Sequence, residues 1–356
     1  MKKRLLFVVE AFGGGIFTYL YSLSNKLIDS YDICIAYSVR KQTPMNFESY
    51  FDNRVQFRRV TNFTREISLA RDLKALHELK KISNDFKPDI IHFHSSKAGI
   101  IGRLGFASSK EKKFYTPHGY SFLMQNTSLI KRSIYWLIEK LAALTKCTTI
   151  SCSQGEQVQS LRLTRHTILI NNGVDVSELN NALNKGEDSS TTDQHSVLTI
   201  GRISKQKNPE LFNSLALKNP KFRFVWVGDG ELRHVLTAPN IIVTGWMDRT
   251  HAVQQLRSAK YFILPSLWEG LPISLLEAMY ARKICLVSDV VGNHDVISDG
   301  LNGFVCKDIA DFNHRIQQLD NDEIDVKGML NRAQDDVLNV YNTDIMAKEY
   351  ADAYSR

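Results

Sequence analysis

The chain has 356 residues, 43% of them hydrophobic, with 45 Lys and Arg against 38 Asp and Glu and a formal net charge of +7. That length exceeds the size at which one core usually stops growing, so two cores of about 170 residues each are expected. No run approaches the roughly 20 apolar residues that span a bilayer, and five cysteines, odd in number and without a C-x-x-C pair, argue against a disulfide framework and for a reduced, cytoplasmic protein.

The opening MKKRLLFVVEAFGGG has a superficial likeness to a secretory leader, but Glu10 breaks its apolar stretch, which serves better as a first strand over Arg4–Glu10. A glycine loop at Gly13–Gly15 follows, then an amphipathic helix through Ile16, Tyr19, Leu20, Leu23 and Leu27. The triple glycine lacks the spacing of the nucleotide motifs, so a phosphate loop and a tight turn without ligand remain equally open. Further strands are predicted at Tyr31–Tyr37, Val55–Val60, Asp89–His94, Lys113–His118, Cys147–Ser153 and His166–Gly173. Their alternation with helical stretches implies a doubly wound parallel sheet. The polar tract Leu179–His195 reads as a connector, with a second sheet beginning near Val197.

The second half repeats one local pattern, a short apolar strand ending in a glycine or proline turn that carries polar residues. LTIGRISKQKNPE ends at Gly201 and presents Arg202, Lys205 and Lys207, cations of the kind that neutralise a diphosphate. FVWVGDGELR is read as strand, glycine turn and helix start, and IIVTGWM as another short strand ending in glycine. YFILPS (Tyr261–Ser266) reads as a buried strand and ISLLEAMYA (Ile273–Ala281) as a helix with Pro272 near its first turn. Glu269 falls in the loop between them and Glu277 just over one turn into the helix, with seven residues separating the two. Gly270 and Pro272 allow a tight turn whose helix start can cradle a diphosphate. Glu277 is positioned to accept ribose hydroxyls, and Glu269 to reach a sugar hydroxyl. VVGNHDVISDGLNGFV adds glycines at 292, 300 and 303. All these polar residues lie beyond the carboxyl ends of strands, where open α/β sheets bind ligands.

The ordered set GRISKQKNP, VGDGELR, TGWM, EGLPISLLEAM and GNHDVISDGLNGF resembles the nucleotide-binding half of retaining GT-B glycosyltransferases, specifically family 4. GGGIFTYLYSLS, DIIHFHSSKAG, YTPHGY and NNGVDV extend the resemblance over nearly the whole chain. It implies two Rossmann-like doubly wound domains facing across a cleft. The acceptor-side domain is expected at 1–178 and the nucleotide-sugar domain at 179–340, with 341–356 packing back onto the first.

By the same resemblance, Arg202 and Lys207 match the diphosphate-binding pair, Glu277 the ribose ligand and Glu269 the carboxylate facing the donor sugar. Gly270, Leu271, Pro272 and Ile273 form the helix start under the leaving group. His118 matches a histidine beside the reacting sugar, and Gly14 and Gly15 the glycine turn near phosphates and acceptor. Asp295 departs from the glutamate often found there and is read as supporting architecture. His92, His94 and His118 suggest a metal, but no Cys or carboxylate cluster adjoins them and the family resembled is metal-independent, so no metal and no cofactor is expected.

The implied activity is a hexosyl- or N-acetylhexosaminyltransferase that moves sugar from a nucleotide-sugar to an acceptor hydroxyl with retention. A UDP-sugar is favoured as donor, a GDP-sugar the alternative. The expected acceptor is a glycan or polyprenyl-diphosphate-linked acceptor in capsule, O-antigen or exopolysaccharide synthesis. A hydrolysing sugar-nucleotide 2-epimerase and a non-catalytic GT-B scaffold subunit are the competing classes. Residues 1–172 hold 26 Lys and Arg against 13 Asp and Glu, a balance of +13, whereas residues 173–356 hold 19 against 25, a balance of −6. A basic half without a nucleic-acid module fits an anionic membrane surface rather than nucleic acid. Phe63–Phe86 and Lys97–Lys113 mix bases with apolar residues as interfacial helices do, and equally as ordinary helices with solvated faces. The expected location is cytoplasmic, peripheral at the inner face of the cell membrane.

Overall fold

The computed structural model describes residues 2–40, 43–64, 68–124, 127–185 and 193–356. The chain divides into two compact units, Met1–Asn172 with Thr343–Arg356, and Gly173–Asn342.

The first unit runs β1 (Lys3–Phe12), α1 (Gly14–Leu27), β2 (Tyr31–Val39), β3 (Gln56–Arg59), α2 (Leu69–Phe86), β4 (Ile90–His94), α3 (Ser96–Gly105), β5 (Lys112–Thr116), α4 (Leu129–Ala142), β6 (Thr148–Ser151), α5 (Gln154–Leu163) and β7 (Thr167–Leu169). The seven strands lie in the order β3-β2-β1-β4-β5-β6-β7, all parallel. Successive strand side chains point to opposite faces. Leu5, Phe7 and Val9 of β1 therefore enter one core, and Leu6 and Val8 enter the other. Both faces are covered, which explains the near-continuous apolar runs. β5 ends at Thr116, two residues before the expected His118, because Pro117 has no N–H to continue the ladder.

The second unit runs α6 (Val176–Asn184), β8 (Asp193–Ile200), α7 (Pro209–Lys218), β9 (Arg223–Val227), β10 (Ile241–Val243), α8 (Arg249–Gln254), β11 (Ala259–Leu264), α9 (Ile273–Tyr280), β12 (Ile284–Ser288), β13 (Phe304–Cys306), α10 (Ile309–Asp320) and α11 (Lys327–Asn339). Its six parallel strands follow the order β10-β9-β8-β11-β12-β13. Strand order reverses at β8, so the loops after β8 and β11 open at the switch point where such sheets bind ligands.

Two local expectations are corrected. Leu179–Asn184 of the expected connector is helical, because the Asp175 side chain caps α6 by accepting from Glu178 N at 2.9 Å and Leu179 and Ala182 are buried. Residues 186–192 of that tract lie outside the described residues, and β8 already begins at Asp193. The helix expected to start within GDGELR is a single 3₁₀ turn at Arg233–Val235.

The last helix, α12 (Thr343–Ser355), belongs to the first unit, where Met346, Ala347, Tyr350, Ala353 and Tyr354 join the core beside α1.

Candidate active site

In the second unit, backbone close approaches gather the loops that follow β8, β9, β11 and β12. A Cβ on Gly228, at φ +138°, would sit 2.2 Å from the Gly201 carbonyl oxygen. A Cβ on Gly292, at φ +87°, would sit 2.3 Å from that of Gly270. Only glycine suits both the left-handed backbone and the contact. Trp226 Nε1 also donates to Gly201 O at 2.8 Å, and Gly228 pairs with Gly245 in an isolated bridge.

Within this frame Lys207 Nζ lies 2.7 Å from Glu269 Oε1, both side chains largely buried. Their loops are joined as well: Leu267 N donates to Gln206 O at 2.8 Å, and Gln206 Nε2 to Trp268 O at 3.0 Å and Glu269 Oε2 at 3.3 Å. Asn208 holds the far end of the cationic loop in a left-handed conformation and caps α7, with Pro209 at the first helical position. Arg202 is half-buried near the start of the same loop. The expected diphosphate cation and the expected sugar-facing carboxylate are thus ion-paired partners.

Glu277 is buried on α9 and its Oε1 lies 3.0 Å from Arg249 Nη2, while Glu178 Oε1 of α6 lies 3.9 Å from Arg249 Nε. Burial raises the Glu277 carboxyl above its ordinary value; Arg249 opposes that rise and Glu178 adds to it. Sequence reading missed Arg249. The available signal was a cation directly after the Asp248 cap, at a helix start whose dipole disfavours positive charge unless carboxylates compensate.

The start of α9 is built from buried Gly270, Leu271 and Ile273 with Pro272 as N-cap, and no side chain caps it. Backbone N–H groups at such a start suit an anion. Asp295 accepts from Gly292 N at 2.9 Å, a bracing contact for the loop after β12.

In the first unit, His118 follows β5 at φ +54°, and its Nε2 lies 3.1 Å from His94 Nδ1. Its ring meets Tyr19 edge-on at 4.7 Å. His92 bonds Tyr354 Oη at 2.7 Å and Thr116 Oγ1 at 2.9 Å. Burial pushes His118 down to about 3 and holds His92 and His94 well below the usual imidazole range, so all three are neutral near pH 7. Glu156, also missed from sequence, braces this turn by accepting from Gly119 N at 2.6 Å and Cys152 N at 2.8 Å. Gly14, at φ +57°, and Gly15 form the exposed start of α1 with open space around them. Among the described residues, no group of three His, Cys, Asp or Glu is arranged to hold a metal ion.

Two parallel Rossmann-like units with these motifs at their strand ends define a protein of the GT-B fold. Residues 182–336 match the family described as glycosyl transferases group 1, and residues 13–178 match glycosyltransferase family 4. The chain is 31% identical over 322 residues to a UDP-Gal:α-D-GlcNAc-diphosphoundecaprenol α-1,3-galactosyltransferase of Escherichia coli, covering 82% of each chain. It is 26% identical to the O-antigen biosynthesis glycosyltransferase WbnH of Escherichia coli, covering 80% of each. Among solved structures, Alr3699/HepE of Anabaena in complex with UDP and glucose superposes with a TM-score of 0.77 at 16% identity, covering 99% of each chain. The chain belongs to glycosyltransferase family 4, group 1, and is a glycosyltransferase.

Proposed function

We propose that this chain transfers a glycosyl group from a UDP-sugar, with retention at the anomeric carbon, to a hydroxyl of a glycan carried on polyprenyl diphosphate. The observation that carries the reading is the meeting of Lys207–Glu269, Arg249–Glu277 and the α9 start at the switch point of the second sheet. The relatives' names support the donor and acceptor: one uses UDP-Gal and a diphosphoundecaprenol-linked sugar, and another serves O-antigen synthesis.

The reaction builds negative charge on the departing diphosphate. Lys207, Arg202 and the backbone N–H groups of Gly270, Leu271 and Ile273, on the turn that Pro272 shapes, are assigned to stabilise it, a contribution of about 3 kcal/mol for one well-placed donor. A metal is not required in this assignment. Lys207 exchanges part of its contact with Glu269 for phosphate oxygens, which releases the Glu269 carboxylate toward a donor-sugar hydroxyl. Glu277 holds the ribose. His118, a neutral imidazole, hydrogen-bonds a sugar hydroxyl, and Gly14 and Gly15 admit close approach of a phosphate. Front-face attack assisted by the leaving phosphate fits a site in which Glu269, shared between Lys207 and a donor-sugar hydroxyl, is not poised as a nucleophile. In this reading the protein acts at a membrane surface without spanning it; no helix among the described residues is long and apolar enough to cross a bilayer.

Thermal stabilisation by UDP-, GDP-, ADP-, CMP- and dTDP-sugars, with and without EDTA, tests the reading. A shift with UDP-sugars that survives EDTA and disappears in Lys207→Ala is expected. No shift with any nucleotide would overturn it in favour of a scaffold, and release of UDP with sugar epimerisation and no acceptor would favour the 2-epimerase.

A further inference from the structure

Helix α4 is turned inside out. Ile130, Ile134, Leu137 and Leu141 recur at the spacing of one helical face, and that face is exposed, at 74, 49, 52 and 53%. Leu129 at the helix start and Leu144 just past its end are exposed too, at 75 and 76%. The inward face packs Tyr135 and Ala142 and buries an acid: Glu139 is 1% exposed, 2.5 Å from Arg103 of α3, and accepts from Tyr115 Oη at 3.0 Å. A helix that satisfies its carboxylate inward and leaves four large aliphatics outward is built for an apolar environment outside the protein, since scattered exposed leucines are ordinary but a continuous stripe is not.

Charge selects the occupant. α4 and the turn after it carry four basic residues, Lys131, Arg132, Lys140 and Lys146, and one acid, Glu139, which is consumed internally; Arg132 and Lys140 bond backbone carbonyls of Phe122 and of Arg162 and Leu163. Lys131 and Lys146 stand exposed at the two ends of the stripe. An apolar stripe framed by cations is complementary to an anionic bilayer, where acyl chains take the aliphatics and headgroups the ammonium groups. A second copy of the chain would set the same basic face against itself. We propose that the outward face of α4 is the surface by which this enzyme docks onto an anionic lipid bilayer, with Ile130, Ile134, Leu137 and Leu141 entering the acyl boundary. The inference rests on the reading that the acceptor is carried on a lipid, and it replaces Phe63–Phe86 and Lys97–Lys113 as the principal contact.

The full-length chain should co-sediment with vesicles of phosphatidylcholine mixed with phosphatidylglycerol, and much less with phosphatidylcholine alone. Ile134→Ser/Leu137→Ser/Leu141→Ser should lower partitioning by about tenfold or more, and Lys131→Gln/Lys146→Gln should lower it and weaken its dependence on salt. Both variants should keep the wild-type melting temperature and UDP-sugar stabilisation, since the substituted side chains are exposed and lie in the first unit. Trp136 emission should shift to the blue on anionic vesicles, with Trp136→Phe as its control. Wild-type partitioning by the triple-serine variant, or no binding of the folded wild type to anionic vesicles, would overturn the proposal. So would a wild-type dimer that becomes monomeric in that variant, which would assign the face to a second copy. Absence of UDP-sugar binding by the wild type would instead remove the transferase reading, whatever the vesicles do.

Discussion

Arg249→Met tests the donor site at the point where its electrostatics are most exposed to failure. Glu277 is buried, and Arg249, 3.0 Å away, opposes the rise in its pKa that burial and Glu178 impose. Methionine keeps most of the volume and removes the charge, so the Glu277 pKa must climb further. Near neutral pH more of the residue is then a neutral acid. Hydrogen bonds to a charged acceptor contribute about 1.5–3 kcal/mol each and neutral ones about 0.5–1.5. Two ribose hydroxyls therefore lose about 2–3 kcal/mol between them, a fall of roughly 30- to 150-fold in affinity at 1.4 kcal/mol per tenfold. The pH signature separates this from simple loss of a contact. Raising the pH through the elevated Glu277 pKa restores the carboxylate, so UDP affinity of the variant should recover toward alkaline pH while wild type changes little. Stability should move the other way. A carboxyl whose folded pKa is raised adds stability that is fully present below the unfolded value and is lost as pH rises through the folded one, so the variant's melting temperature should drop relative to wild type over that window. Calorimetric titration with UDP across pH, paired with melting curves, reads both. Wild-type affinity with no pH dependence in the variant would refute the coupling, and Arg249→Lys should rescue most of the loss.

Gly228→Ala should destabilise the second unit by about 2 kcal/mol or more, because its Cβ meets the Gly201 carbonyl at 2.2 Å on a left-handed backbone; urea denaturation measures it, and a loss below about 0.5 kcal/mol would contradict the close approach. Arg103→Met leaves the buried Glu139 bonded to Tyr115 Oη but without its counter-ion, and should cost about 3–5 kcal/mol, whereas replacing Arg103 and Glu139 together by apolar residues should recover most of it. His92 and His94 are fully buried and held neutral, burial depressing their folded pKa values well below the ordinary imidazole value of about 6.5. The stability this contributes is present above pH 6.5 and is lost as pH falls below it, because only the unfolded chain binds the protons, by up to about 1.4 kcal/mol per pH unit for each. His94→Phe should flatten that slope by about one histidine's share in urea titrations below pH 6.5, and an unchanged slope would refute the assignment.

Most strands were legible as short apolar runs, and β1, β5, β8, β9 and β11 are closed directly by glycine or proline, β5 and β11 stopping just before a proline; β12 and β13 were not read as strands, because neither Ile284–Ser288 nor Phe304–Cys306 ends in such a signal. The order of loops around Gly201, Gly228, Gly270 and Gly292 was legible for the same reason, since a glycine required for close approach is also a turn signal. α6 was not, because its polar surface hides two buried positions and a cap at Asp175. Arg249, Glu156 and the Arg103–Glu139 pair share a different kind of illegibility. Each is a charged residue whose partner is brought near only by packing of another element, and a charge without its partner reads as solvated.

The same fact hides the orientation of α4 from the sequence. Its aliphatic stripe has the periodicity of a core-facing helix, yet the helix packs inward through Tyr135, Ala142 and the Glu139–Arg103 pair, and the stripe faces out. With both Arg103 and Glu139 replaced by apolar residues, no buried charge would oppose turning Leu137 inward. The buried ion pair is thus a specificity device: such pairs add little net stability, but this one makes the rotated arrangement cost an unpaired guanidinium in the core. The double apolar replacement of Arg103 and Glu139 therefore does more than restore stability. It frees the helix to turn its stripe inward, and a restored fold that no longer partitions onto anionic vesicles would show that the pair exists to keep that face outside.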